Sequence, residues 1–308
     1  MSSAKDIDDE NNEEQDVKWT DAQIRWPEDK VSPEDEGESD DDEDENPFDP
    51  FADPDPHEIF SFRFVPKKSA SNNEEPIEGD DGDDEKSIRV EIHGYKTDSD
   101  QVWESTGLTL WKASKYLCDY MVEQAEKVKG QRVLELGAGL GLNGVLAHRL
   151  GAESTVITDG DSDAMVELRK NIRVNRVEGR ELSASQLIWG LESSEAFLNS
   201  SKSASSKFSM IIASDVIYAS IVIDPLFETV RTLLQPNGEF WMAFAVRKVP
   251  VTIDFVLQKA NDHGFSYELV DQQIDGEGNG EDDVEGNPET GPVFIYVFRW
   301  DNGHETKI

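Results

Sequence analysis

The chain has 308 residues, 36% hydrophobic and 31% charged, with a formal net charge of −37 and a single cysteine, Cys118. That composition suits one ordinary core with extensions, excludes an intramolecular disulfide framework, and offers no basic cluster with which to grip a nucleic-acid duplex. No stretch approaches the ~18 apolar residues of a membrane span, and the acidic start MSSAKDIDDENNEEQD is unlike a secretory or mitochondrial leader, so a cytoplasmic or nuclear protein with no membrane or nucleic-acid partner is expected.

The charge is unevenly spread. Residues 1–86 hold 32 Asp/Glu against 8 Lys/Arg, and residues 271–289 hold 8 acids and no base, which leaves the rest close to balance. Residues 1–56 include DEGESDDDEDENPFDPFADPDP. Like charge and proline there prevent enough apolar burial to offset chain entropy, and the segment is expected to be disordered. Trp19, Trp26, Phe48 and Phe51 are its apolar exceptions, either short docking elements or isolated residues. Residues 57–104 form a second region. EIFSFRFV alternates Phe60, Phe62 and Phe64, and SIRVEIHGY alternates Ile88, Val90 and Ile92. Both are strand patterns, expected to pair across the acidic linker 70–86.

Residues 105–308 read as one α/β domain. TGLTLWKASKYLCDYMVEQAE carries Leu110, Ala113, Leu117, Tyr120 and Met121 at helical spacing. The strand QRVLEL follows, then the helix LNGVLAHRLGA, stopped near Gly151. The strand STVITD and the helix AMVELRKNIRVN come next, then the strands SQLIWG and FSMIIASD. DPLFETVRTLL is a helix with Leu226, Phe227, Val230, Leu233 and Leu234 on one face. QPNGEFWMAFAV is a turn and strand, TIDFVLQKANDHGF a helix, and SYELVD and PVFIYVFRW the last strands. Strands alternating with helices imply a parallel sheet covered on both faces. With only the acidic loop 272–291 between them, the last two strands are expected to close the sheet as an antiparallel hairpin.

VLELGAGLGLNG places Gly137, Gly139, Gly141 and Gly144 after the first strand of that domain. Glycines at the carboxyl end of a sheet strand allow positive φ and a close approach of ligand to backbone. Asp159 ends the next strand, where a carboxylate can accept hydrogen bonds from both ribose hydroxyls. Those features serve a nicotinamide dinucleotide and S-adenosylmethionine equally. A structural turn is the bland reading of the glycines, and Asp161 is a better helix cap than Asp159. Three features separate the two ligands: Glu135 lies inside the strand end, a full helix precedes the first strand, and ASDVIY sets a carboxylate and a phenol three residues apart.

With TGLTLW, VLELGAGLGLNG, VITDGD, NIRVN, IWG and ASDVIY in this order over roughly residues 103–300, the chain resembles the seven-β-strand S-adenosylmethionine-dependent methyltransferases. More narrowly, it resembles the family-16 protein-lysine methyltransferases. The resemblance implies a Rossmann-like sheet with an antiparallel final strand, S-adenosylmethionine as donor and a protein lysine as acceptor; a monomer is expected. It implies that Glu135, Gly137, Gly139 and Gly141 surround the methionine and ribose, and that Asp159 takes the ribose hydroxyls. Trp189 would lie beside the adenine, Trp111 would approach the donor from the preceding helix, and Asp215 and Tyr218 would face the acceptor. Ile188 stands where the family often has an acid. Core packing remains the alternative for Trp111 and Trp189, and a surface ion pair the alternative for a substrate contact by Arg247. The five histidines form no cluster and no metal site is expected. Two other functions stay open: methylation of a small molecule or another side chain, and a non-catalytic protein whose acidic segments bind a basic partner.

Overall fold

The structure, a computed structural model, describes residues 56–66, 87–97, 99–100, 102, 105–200, 206–246, 251–274 and 291–300. The expectations placed on residues 1–55, on the linker 70–86 and on Arg247 lie outside these. Nine strands and seven α-helices are found among the described residues. Two strands stand apart. β1 (His57–Phe64) pairs antiparallel with β2 (Ile88–Tyr95), Phe60 opposite Ile92 and Phe62 opposite Val90. The pairing anticipated from the alternation is present, as a sheet of its own.

The main sheet has seven strands: β3 (Arg132–Leu136), β4 (Ser154–Asp159), β5 (Glu181–Gln186), β6 (Phe208–Ser214), β7 (Leu234–Ala245), β8 (Phe265–Gln273) and β9 (Val293–Trp300). Their spatial order is β5-β4-β3-β6-β7-β9-β8. The first five run parallel. β9 is antiparallel to both β7 and β8 and lies between them. The order reverses between β3 and β6, so the carboxyl ends of these two strands flank the crevice where such sheets bind ligands.

Helices cover both faces. On one lie α1 (Lys112–Glu123), the short α2 (Ala125–Val128), α3 (Leu142–Leu150) and α4 (Ser162–Asn175), with Leu117, Met121, Val145, Leu146 and Leu168 in a single buried cluster. On the other lie α5 (Leu191–Ser200), α6 (Ile223–Leu233) and α7 (Ile253–Asp262), contributing Phe197, Leu226, Phe227, Leu233 and Val256 to a second cluster. β3 alternates between the two: Leu134 and Leu136 enter the second, and Val133 the first. Glu135 shares Val133's side and meets α3 from below.

Three sequence readings need correction. The helix over TGLTLWKASKYL begins only at Lys112. Thr106–Leu108 form a separate 3-10 turn, so Trp111 caps α1 instead of riding on it and Leu110 precedes the helix. The strand read at SQLIWG lies earlier, at Glu181–Gln186, and Leu187–Gly190 is loop. β5 is an edge strand with one fully buried residue, Leu182, so it needs no apolar run and gives no strong signal. The helix α5, over LESSEAFLNS, was not anticipated.

Candidate active site

A cavity of ≈430 Å³ opens at the switch point between β3 and β6. Its floor is the loop after β3. Gly137, Gly139 and Gly141 have φ of 60°, 52° and 83°. This run of left-handed residues turns the backbone sharply enough to aim amides outward. At Gly139 glycine is also required by space. A Cβ there would come within 2.7 Å of the Gly107 carbonyl oxygen, because the segment before α1 lies directly on the loop.

The side walls come from neighbouring strand ends. Asp159 ends β4 and lines the cavity. Its Oδ2 accepts the Gly139 N–H at 2.7 Å and its Oδ1 the Asp161 N–H at 2.9 Å. Burial raises the carboxyl pKa, and these amides pull it back down. Each oxygen keeps a lone pair for a further donor. Asp161 caps α4 by accepting the Asp163 N–H, the role the sequence favoured for it. Its other oxygen takes the Ser105 hydroxyl in a short hydrogen bond, tying the wall before α1 to α4. Trp189 and the exposed Ile188 form the next wall, in the loop after β5.

Opposite them, Ser214 ends β6, and Asp215 and Tyr218 follow it. Asp215 is buried, yet its φ is 58°. A non-glycine residue held there costs of order 1–3 kcal/mol and persists only where the surroundings impose it. Here the Asp215 N–H donates to the Ala243 carbonyl on β7 at 2.9 Å, which fixes the turn. Tyr218 is half exposed at the mouth, beside the exposed Ile221. On the remaining side lie Thr106, Thr109, Leu110 and Trp111, with the indole N–H of Trp111 donating to the Thr106 carbonyl at 3.0 Å.

Seven of the nine residues singled out in the sequence therefore meet in one cavity: Trp111, Gly137, Gly139, Asp159, Trp189, Asp215 and Tyr218. Glu135 and Gly141 stand outside its lining. Glu135 is buried under α3, and its Oε2 accepts the Gly144 N–H at 2.8 Å. Burial pushes its pKa up to about 8, with the Gly144 amide opposing. Gly144 must be glycine, since a Cβ would reach within 2.5 Å of that oxygen. Gly141 has its own neighbour: a Cβ there would strike Leu168 of α4.

Asn143 was not picked out from the sequence. It is buried, its Nδ2 donates to the Ser114 carbonyl and lies 3.1 Å from Cys118 Sγ, and its Oδ1 accepts the Ser214 hydroxyl at 2.9 Å. One amide thus joins α3, α1 and the end of β6. A polar residue in the otherwise apolar first turns of this helix was the available signal.

The cavity's charge is one-sided. Among the described residues three carboxylates, Asp159, Asp161 and Asp215, line it and no basic side chain does. Such a lining favours a cationic guest, and S-adenosylmethionine carries a sulfonium and an ammonium. The glycine floor, the ribose-compatible carboxylate and the flat indole of Trp189 fit that donor.

Comparison with known proteins agrees. The profile of the family described as lysine methyltransferase matches residues 96–261. The chain is 28% identical over 185 residues to the protein N-terminal and lysine N-methyltransferase EFM7 of Yarrowia lipolytica, covering 53% of this chain and 67% of that one. It is 29% identical over 170 residues to EEF1A lysine methyltransferase 3 of Xenopus tropicalis, covering 55% and 71%. It is 27% identical over 172 residues to the calmodulin-lysine N-methyltransferase of Arabidopsis thaliana, covering 54% of each.

Proposed function

Since the chain belongs to the lysine methyltransferase family, we propose that it methylates a lysine side chain of a protein, with S-adenosylmethionine as donor. The observation that carries this reading is the pairing, in one cavity, of a glycine-floored donor end with the turn holding Asp215 and Tyr218. S-adenosylmethionine supplies a methyl group already activated on a positively charged sulfur, so the protein's own task is placement.

At the donor end Asp159 accepts the ribose hydroxyls, the glycine floor lets the methionine portion lie close, and Trp189 flanks the adenine. Trp111 closes the side toward α1. At the acceptor end a lysine has to be neutral to act, although its ordinary pKa is ~10.4. Desolvation on entering the cavity favours the neutral amine, and the Asp215 carboxylate opposes it. Asp215 and Tyr218 orient the N–H bonds of that amine, so that its lone pair faces inward; neither is assigned as a general base. Exposed apolar side chains at the mouth, Tyr218, Ile221 and Ile188, suit a polypeptide surface better than a small polar metabolite.

No helix among the described residues is long and apolar enough to cross a membrane. A cytoplasmic or nuclear setting is supported by the one cysteine, which is buried. A monomer that avoids nucleic acid is supported by the charge of −37.

The test has two stages. Calorimetry with S-adenosylmethionine should show one binding site. Extract proteins incubated with the enzyme and methyl-labelled donor should then carry label on lysine, located by mass spectrometry. Label confined to the small-molecule fraction would establish the metabolite reading instead, and absence of donor binding would leave the interaction-protein reading.

A further inference from the structure

β2 has two edges. One pairs with β1. The other meets no strand among the described residues; two asparagines of α4, four residues apart and so on one helix face, cover it instead. Asn171 Oδ1 accepts the His93 N–H at 2.8 Å and its Nδ2 donates to the His93 carbonyl at 2.9 Å. Asn175 repeats the pattern on Glu91, at 3.3 Å and 2.7 Å. Each carboxamide stands in for a strand residue, so the hairpin is stitched to α4 as if to another strand.

The two amides differ in their remaining proton. Asn175 gives it to the carbonyl of Asn171, within its own helix. Asn171 gives it to the Leu140 carbonyl, at 3.1 Å. Leu140 lies between Gly139 and Gly141, both at positive φ. The adjoining loop amides have their own anchors: Gly139 N–H on Asp159, and Gly141 N–H on the Ala138 carbonyl. The hairpin also touches this spot directly. A Cβ on Gly94 would fall within 2.3 Å of Leu140 Cδ1 and 2.9 Å of the Leu108 carbonyl. β2 thus backs the glycine floor and the segment before α1 at once.

We propose that Asn171 is a positioning residue for methyl-donor binding, holding the floor of the cavity through Leu140 while it holds the hairpin through His93. Asn171 touches no donor atom itself, being fully buried outside the cavity lining. Its role is to keep the loop in the binding conformation before the donor arrives, so that the affinity is not spent on ordering glycines. Strands β1 and β2, which precede every donor residue in the chain, become part of the donor site. The inference rests on S-adenosylmethionine being the guest of this cavity.

The pair supplies its own control. Affinity for S-adenosylmethionine would be measured by calorimetry on the full chain, wild type first, together with melting temperature. Asn171→Ala and Asn171→Asp are compared with Asn175→Ala; the Asp variant keeps an acceptor for the His93 N–H but loses both donated bonds. Both Asn171 variants should bind the donor ~5–10-fold more weakly, the usual effect of one lost hydrogen bond. Asn175→Ala should lose comparable thermal stability while binding within twofold of wild type. Equal weakening in the Asn171 and Asn175 variants would overturn the assignment, since the effect would then pass through general loosening of the hairpin. Unchanged affinity in the Asn171 variants would also overturn it. If Asn171→Ala fails to fold, Asn171→Asp decides alone against Asn175→Asp. Wild type that binds no donor refutes the parent reading, a result distinct from all of these.

Discussion

The Gly139 amide, in the loop after β3, and the Asp159 carboxylate, at the end of β4, are joined at 2.7 Å. The residue placed to accept ribose hydroxyls therefore also fixes the loop beneath the donor. Asp159→Ala should weaken S-adenosylmethionine binding by ~1.5–3 kcal/mol, the range for a hydrogen bond to a charged group. Asp159→Asn, which keeps one acceptor, should fall between. Calorimetry checks both, and an alanine variant binding like wild type would move the ribose contact elsewhere.

Asp215 occupies a backbone conformation that glycine adopts without strain. Asp215→Gly should melt at or above the wild-type temperature while methyl transfer falls at least 100-fold through lost acceptor positioning. Donor affinity should stay within about tenfold. Calorimetry and a turnover assay on one preparation separate the effects. Surviving turnover would remove Asp215 from the acceptor end.

The apolar mouth predicts a split in kinetic constants. Ile221, 80% exposed, lines the cavity with Tyr218. Ile221→Ser should raise KM for the protein acceptor several-fold with kcat and donor affinity nearly unchanged, as expected for a contact equally strong in ground and transition states. A kcat loss without a KM change would place this residue in the chemistry instead.

Glu135 and His148 set opposite arms of a stability profile. The Glu135 pKa is about 8 in the fold against an ordinary 4.5, because it is buried. From pH 4.5 to 8 the folded state binds the extra proton, so stability declines as pH rises through that window. His148, at the end of α3, is fully buried, and its Nε2 accepts the Val177 N–H at 2.9 Å. Burial lowers its pKa to about 4 from 6.5. The unfolded chain then binds the extra proton between 6.5 and 4, and stability falls as pH drops through that range. The two windows overlap between pH 4.5 and 6.5, where their slopes cancel, so melting temperature should be level there and fall above pH 6.5. Glu135→Gln, which retains an acceptor for the Gly144 N–H, should abolish that fall and let stability rise up to pH 6.5. An unaltered profile in that variant would assign the arm to other groups.

What could be read from sequence follows from how locally each feature is encoded. The parallel strands at Val133–Leu136 and Met210–Ala213 are buried on both faces, and their apolar runs are visible without a structure. The helix stop at Gly151, φ 102°, is equally local. β5 was displaced because an edge strand carrying Ser183 and Ser185 has no such run. Six of the seven site residues were legible because they lie at or just after strand ends in order, whereas Trp111, capping α1 ahead of β3, was placed by the resemblance alone. The burial of Glu135 beneath α3 was not, since its direction depends on which helix lands on β3. The link from Asn171 to Leu140 was hidden for the same reason: a side-chain amide bridging residues 31 positions apart leaves no periodic trace.

The place of β9 between β7 and β8 has a consequence for how the protein is made. Residues 293–300 are translated after both neighbours, yet they carry the interior of that half of the sheet, with Ile295, Val297 and Phe298 all but inaccessible. While the ribosome is still upstream of Val293, the nascent chain displays β7 with an unpaired edge and Phe240 without the ring of Phe298 stacked 5.4 Å away. Long-range closure of this kind is slow and leaves sticky surface waiting. A premature stop codon just before Val293 would therefore remove an interior strand and leave β8 without its partner instead of trimming the border. The shortened product should partition to chaperones and degradation even though every residue of the cavity has already been made.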